Sequence, residues 1–221
     1  MKKLGLTFAI ISAFSLSAMA QKGVNEAASA PSLTRKGANN ISIGIGTGNL
    51  VQEILRDAVS LGNNNSVKFT ATGPLFFKYE NMVDKRIGFG INLAYMKNNI
   101  NYNETNTNNM GQDYQYNADL SCTTFSVIVR FNYHFMDHDK IDPYIGLGVG
   151  YRSVKWNYSD NDPLDINNQN EANVALSTLP SSPFGGDLTF GVRFLPHPNI
   201  GIYMEAGIAK GVIQGGLTFQ I

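Results

Sequence analysis

The sequence predicts an all-β chain: a closed, antiparallel, up-and-down transmembrane β-barrel of about eight strands, with short turns at one end and long loops at the other. Three observations predict it. Apolar residues alternate with small or polar ones again and again at a period of two, the period at which a strand presents successive side chains to opposite faces. After residue 20 no apolar run approaches the roughly 20 residues a membrane helix needs. The second face of each strand is small and poor in charge; charged residues make up 15% of the 221-residue chain, against roughly 25% in soluble domains.

Residues 1–20 read as a signal peptide. Lys2 and Lys3 form its charged start, 4–16 its apolar stretch, and Ala18-Met19-Ala20 a small-x-small cleavage site. Residues 21–39 are polar and aperiodic, which predicts a flexible periplasmic segment. The barrel is expected over 40–221. Its strands are read at 40–48, about 67–80, 87–95, 124–135, 144–152, 187–194, 200–208 and 212–221. The clearest is 144–152, where Ile145, Leu147, Val149 and Tyr151 oppose Gly146, Gly148, Gly150 and Arg152. The connectors alternate: 81–85, 136–141 and 196–199 are short and rich in Asp and Pro, while 49–66, 97–118 and 155–184 are long, polar and Asn-rich, and only the last, around Ala209 to Gly211, breaks the pattern by being tight. Short periplasmic turns and long extracellular loops are the organisation of outer-membrane barrels, and an even strand number puts both termini in the periplasm.

Alternation alone does not separate a membrane barrel from a soluble one that holds a ligand in an apolar interior. The second face does. On a soluble barrel it would meet water and carry many Lys and Glu, whereas here it is mostly Gly, Ser, Thr and Asn. An eight-stranded barrel leaves a lumen only wide enough for side chains to fill, so the greasy face is expected in lipid and the small face inside. Lys78, Arg130, Arg152, Asp187, Arg193 and Glu205 all fall on the inward set. Buried charges are costly unless paired, and these six are expected to form a polar plug. Phe77, Tyr79, Tyr133, Phe135, Phe194 and Phe219, with Tyr95, Tyr151 and Trp156 toward the loops, are candidates for the aromatic girdles.

The last strand, Gln214-Gly-Gly-Leu-Thr-Phe-Gln-Ile221, resembles the C-terminal assembly signal of outer-membrane barrels. Gln214, Gly216, Phe219 and Ile221 fall on its polar, glycine, apolar and terminal positions, with Ile where the family commonly has Phe. Together with Asp142-Pro-Tyr-Ile-Gly-Leu-Gly-Val-Gly-Tyr-Arg152, it makes residues 40–221 similar to the small outer-membrane barrels that include the OmpA transmembrane domain, OmpX and the OmpW and Opa types. The resemblance implies insertion by the outer-membrane assembly machinery of a Gram-negative bacterium. It also implies surface, adhesion or small-solute roles.

Other motifs do not reach a site. Gly44-Ile-Gly-Thr-Gly48 before a possible helix at 51–59 completes neither G-x-G-x-x-G nor a P-loop. Asp160, Asp162 and Glu171 hold three positions of a calcium loop, but Asp165 replaces its obligatory glycine. His134 and His138 flank an acidic turn and are read as solvated. Cys122, the single cysteine, has no disulfide partner within the chain and no activating neighbour. Lys+Arg and Asp+Glu are both 17, so no net charge draws the chain to nucleic acid. The expectation is a non-enzymatic barrel without cofactor or metal, contacting outer-membrane lipid and an extracellular partner through its loops. The alternatives are a narrow porin-like channel or carrier for small or apolar solutes, and a secreted soluble ligand-binding barrel.

Overall fold

The computed structural model describes residues 34–47, 67–107, 111–138, 140–161, 166–177, 183–197 and 199–221. Its strands are β1 (Asn39–Thr47), β2 (Val67–Asp84), β3 (Ile87–Thr107), β4 (Asp113–His134), β5 (Ile141–Asp160), β6 (Phe184–His197), β7 (Ile200–Ile208) and β8 (Ile213–Gln220), with one helix, α1 (Ile166–Ser177), between β5 and β6. Each strand pairs antiparallel with the next, and β1 pairs with β8, so the sheet closes into an eight-stranded barrel. The seam runs from Asn40↔Gln220 to Thr47↔Ile213. Asn39 and Ile221 lock it by exchanging backbone bonds of 3.1 and 2.9 Å. The expected signal peptide, the possible helix at 51–59 and Asp162 lie outside the described residues.

The faces sort by parity as the alternation predicts. Val149 is 70% exposed, Ile45 64% and Leu147 57%, while Arg130, Asn92 and Glu205 on the opposite parity are each 3% exposed. A water-soluble barrel would bury the first set and expose the second. With its backbone bonds closed on themselves and its apolar side chains outward, the chain meets the two requirements of a bilayer. Phe89 and Phe131 meet edge to face at 5.3 Å, as do Tyr133 and Phe135 at 5.5 Å, forming an outward aromatic cluster toward the short-turn end. Trp156 departs from its expected place in the girdle: it shares the inward parity of Arg152 and Val154 and lines the lumen.

Two expected loops are largely strand. β3, β4 and β5 run to 21, 22 and 20 residues, about twice the 9–11 that cross a tilted span. β1, β7 and β8, at 9, 9 and 8 residues, have only crossing length. The β3–β4 ladder continues through the predicted loop 97–118 to Thr107↔Asp113, and β5 stays paired with β4 up to Asp160. The period of two continues here, with Tyr114, Tyr116, Ala118 and Leu120 half-buried against exposed Gln115, Asn117 and Asp119, but the Asn-rich polar residues around it read as loop. Tyr102 and Tyr116 pack edge to face at 6.1 Å, and Tyr116 shares a 3.0 Å hydroxyl bond with Tyr158. Asn101 donates to Asp119 across the same ladder, and Gln115 to Thr105.

The β5–β6 ladder ends at Tyr151↔Phe184, with Arg152 donating on to the Pro183 carbonyl at 2.8 Å. Farther along β5 a contact comes from α1: Asn173 accepts from the Tyr158 amide and donates to the Tyr158 carbonyl, both at 2.8 Å, as a strand residue would. At the opposite end, residues 34–38 pack against the barrel. Thr34 and Ala38 are fully buried, Gly37 donates to the Met82 carbonyl and accepts from the Asn39 side chain at 3.3 Å, and Met82 donates to Ala38. The Thr34 hydroxyl bonds Asp137 at 3.2 Å. In β2 the ladder is interrupted between Thr72 and Leu75, where Gly73 takes φ 87°, a conformation a side chain would strain.

Candidate functional site

Five strands project ionisable side chains into the short-turn half of the lumen, and they interlock around two carboxylates. Glu80 on β2 meets Arg193 Nη2 at 2.5 Å and His134 Nε2 at 3.1 Å, and accepts from Asn132 and Asn40. Asp142 completes a ring, with His134 Nδ1 at 2.7 Å and Arg193 Nε at 3.1 Å. Deeper in, Glu205 on β7 receives Lys78 Nζ at 2.8 Å, Arg130 Nη1 at 3.0 Å, the Tyr144 hydroxyl at 2.7 Å and Gln214 at 2.8 Å. Arg130 also donates to Thr189 at 2.7 Å and faces Asp187 at 3.7 Å, to which Asn92 donates.

Tyr144 joins the two groups. Its hydroxyl serves Glu205, its ring lies 4.8 Å under the Arg193 guanidinium, and its centroid stands 5.5 Å from His134. Lys78 is held in turn 4.5 Å over the Tyr203 ring. With both His134 nitrogens facing carboxylates, a doubly protonated ring satisfies both bonds as donor, and four cations then balance four carboxylates. Desolvation of each charge is offset only because every one has an opposite partner. The inward glycines make the space. A Cβ on Gly146 would stand 1.9 Å from Arg130 Nη2, and one on Gly191 2.5 Å from the Tyr144 ring.

Of the six charged residues expected to form the network, five meet here: Lys78, Arg130, Asp187, Arg193 and Glu205. Arg152 does not. It has no ion pair among the described residues and stands four strand positions beyond the register of Arg130, which is opposite Gly148, or about 13 Å at 3.3 Å per residue. Parity gives the face a residue points to, not its height in the barrel. Glu80, His134, Asp142 and Tyr144 were missed as members, although the same parity reaches them: Glu80 follows Lys78 by two, and Asp142 precedes Tyr144 by two.

The void left among these side chains is about 20 Å³, room for about one water. Toward the loop end the lumen opens into a cavity of about 680 Å³. The C-terminal positions have places in the seam: Gln214 reaches Glu205, Gly216 packs against Ile43, Phe219 pairs with Ile41 and Ile200, and Ile221 bonds Asn39.

Fold and lumen define a small eight-stranded transmembrane β-barrel, filled by paired charges in one half and open in the other. No family model matches the sequence, and no curated protein matches it. Among solved structures, the chain is similar to Ail, the attachment invasion locus protein of Yersinia pestis, in complex with the heparin analogue sucrose octasulfate, at 14% identity over 84% of this chain and 96% of that one, with a TM-score of 0.38. It is similar to the outer membrane protein OprG from Pseudomonas aeruginosa at 13% identity, 85% and 97% coverage and a TM-score of 0.39. Outer Membrane Protein W of E. coli matches at 14% identity, 85% and 99% coverage and a TM-score of 0.38. Scores of this size carry no argument about function, and the barrel assignment rests on its own strand pairing.

Proposed function

We propose that this chain is a non-enzymatic outer-membrane protein, a closed barrel that serves as a rigid mount for the sheet formed by the long ends of β2 to β5. The observation that carries the reading is the contrast in the lumen: about 20 Å³ of space among the paired charges, against about 680 Å³ above them. A barrel filled in this way does not conduct, and what it offers its surroundings is the surface beyond the bilayer. That surface has hydrogen-bonding side chains on both faces and three tyrosines in a row, Tyr102, Tyr116 and Tyr158, side chains suited to contacting a partner. Export by the N-terminal signal and the form of the last strand support the outer membrane and its assembly machinery. In this orientation the extension is extracellular and both termini are periplasmic. The exposed apolar exterior weighs against a secreted soluble barrel.

Planar-bilayer recording of the refolded protein tests the closed lumen. No discrete conductance is expected, and reproducible unitary steps would overturn the proposal. Localisation is tested by heat-modifiable gel migration of membrane-extracted protein, where identical mobility before and after boiling counts against a membrane barrel. Protease added to intact cells should cut within 97–118; protection of that hairpin would reverse the orientation.

A further inference from the structure

The cavity above the plug is built differently from the plug. Its walls are mainly apolar, with Phe76, Ile128 and Trp156 among them, yet two cations stand in it. Register sets Arg152 opposite Ser126 and Ser126 opposite Ala94. Lys210, on the connector between β7 and β8, donates to that same Ala94 carbonyl at 3.0 Å. The two positive groups therefore share one level of the wall, and neither has an ion pair among the described residues. Desolvation, with repulsion from Arg152, lowers the Lys210 ammonium to about 8. The one carboxylate lining the cavity among the described residues, Asp187, is held by Arg130 and Asn92.

Further along the same wall Asn98, Cys122 and Trp156 stand in one register row. Asn98 is 3% exposed, and among the described residues neither its amide nitrogen nor its oxygen has a hydrogen-bond partner; Arg152 Nε also lacks one among them. Buried polar groups such as the Asn98 amide are almost always satisfied, and Arg152 and Lys210, both half-buried, stand side by side in a largely apolar wall, where an anion would relieve their repulsion. An apolar pocket of several hundred Å³ with a few convergent polar groups is the usual form of a small-molecule site.

We propose that this cavity binds a small amphipathic anion: an oxyanion such as a carboxylate seated between Arg152 and Lys210, with its apolar body against Phe76, Ile128 and Trp156 and the Asn98 amide on the same wall. Because the plug closes the other end, such a ligand enters and leaves on the loop side.

Trp156 is the only tryptophan, so it reports on the cavity directly. The refolded chain in phosphatidylcholine nanodiscs is titrated with 4-iodobenzoate, whose iodine quenches indole fluorescence, and separately with the uncharged isostere 4-iodobenzamide. Saturable quenching by the carboxylate is expected at a concentration about tenfold or more below that of the amide, the scale of one charge-assisted contact. Arg152→Gln and Lys210→Gln should each raise the half-saturating concentration by a similar factor, about tenfold, with heat-modifiable migration unchanged. Ser126→Phe, which fills the space between the two cations and keeps both charges, should abolish saturation. Quenching linear in concentration, equal for the two probes, or unchanged in both glutamine variants would overturn the proposal. If Arg152→Gln does not fold, Lys210→Gln and Ser126→Phe decide it.

Discussion

Glu205 is the acceptor on which the inner half of the plug depends, and replacing it by glutamine tests the pairing described above. The substitution keeps the shape and removes the charge. Lys78 has no other carboxylate within ion-pair distance among the described residues, so it becomes a buried charge facing a neutral amide and the rings of Tyr203 and Phe76. Arg130 fares better, since Thr189 and Asp187 remain. Removing one partner of a buried pair costs about 3–5 kcal/mol, most of it from the stranded charge, and the loss of stability in Glu205→Gln should fall in that range. Asp187→Asn is the internal comparison. Asp187 faces Arg130 at 3.7 Å and accepts one bond from Asn92, so about 1–2 kcal/mol is expected. The assay is reversible guanidinium unfolding in lipid vesicles followed by Trp156 fluorescence, with Lys78→Met added to Glu205→Gln to complete a double-mutant cycle. Lys78→Met should recover at least about 1 kcal/mol in that background by removing the stranded charge. A Glu205→Gln loss below about 1 kcal/mol, or one no larger than that of Asp187→Asn, would refute the reasoning.

Other outcomes follow from single contacts. Gly146→Ala forces the Arg130 guanidinium off its carboxylate, because the new Cβ would meet Nη2 at 1.9 Å; a loss of about 1–3 kcal/mol is expected in the same unfolding assay. Asn173→Ala should abolish hydrogen-exchange protection at the Tyr158 amide and leave the amides of 144–150 protected, since the first bond is made by α1 and the others by the barrel. Binding of 4-iodobenzoate should weaken as pH rises through about 8, where Lys210 loses its proton. Arg152 on β5, Cys122 on β4 and Asp187 on β6 are the other titratable groups among the described residues lining the cavity. The pH dependence should therefore disappear in Lys210→Gln, and a profile unchanged by that substitution would assign it elsewhere.

The sequence made the transmembrane part of the fold legible because lipid and lumen impose opposite demands on neighbouring residues. Ile145, Leu147 and Val149 could be told from Gly146, Gly148 and Gly150 without any structure. Beyond the apolar band the alternation persists in Ile100 and Tyr102 but is outnumbered by Asn, so Asn101, Tyr102 and Asn103 read as loop although they lie inside β3. Their strand is held by backbone pairing and by partners on β4 distant in sequence. Trp156 was misassigned for a related reason: β5 continues inward-facing past Arg152, where a loop had been expected. In the lumen, parity found Lys78 and Glu205 as inward but not as partners, since strand tilt and register decide which heights meet. Lys210 escaped because it lies on a connector, where no periodicity applies.

The seam between β1 and β8 also orders events in time. Asn39 and Ile221, which exchange the bonds that end it, are the most distant pair in the barrel wall, and bringing such ends together carries a loop-closure cost of roughly 5 kcal/mol. Seven strands can be in register while two edges still present unpaired amides and carbonyls, a state that hydrocarbon penalises at every group. Closure therefore comes last and all at once. A chain cut short by one strand would be left with an unfinished rim rather than a slightly smaller barrel, so completion of the C-terminal strand acts as a checkpoint on the whole wall.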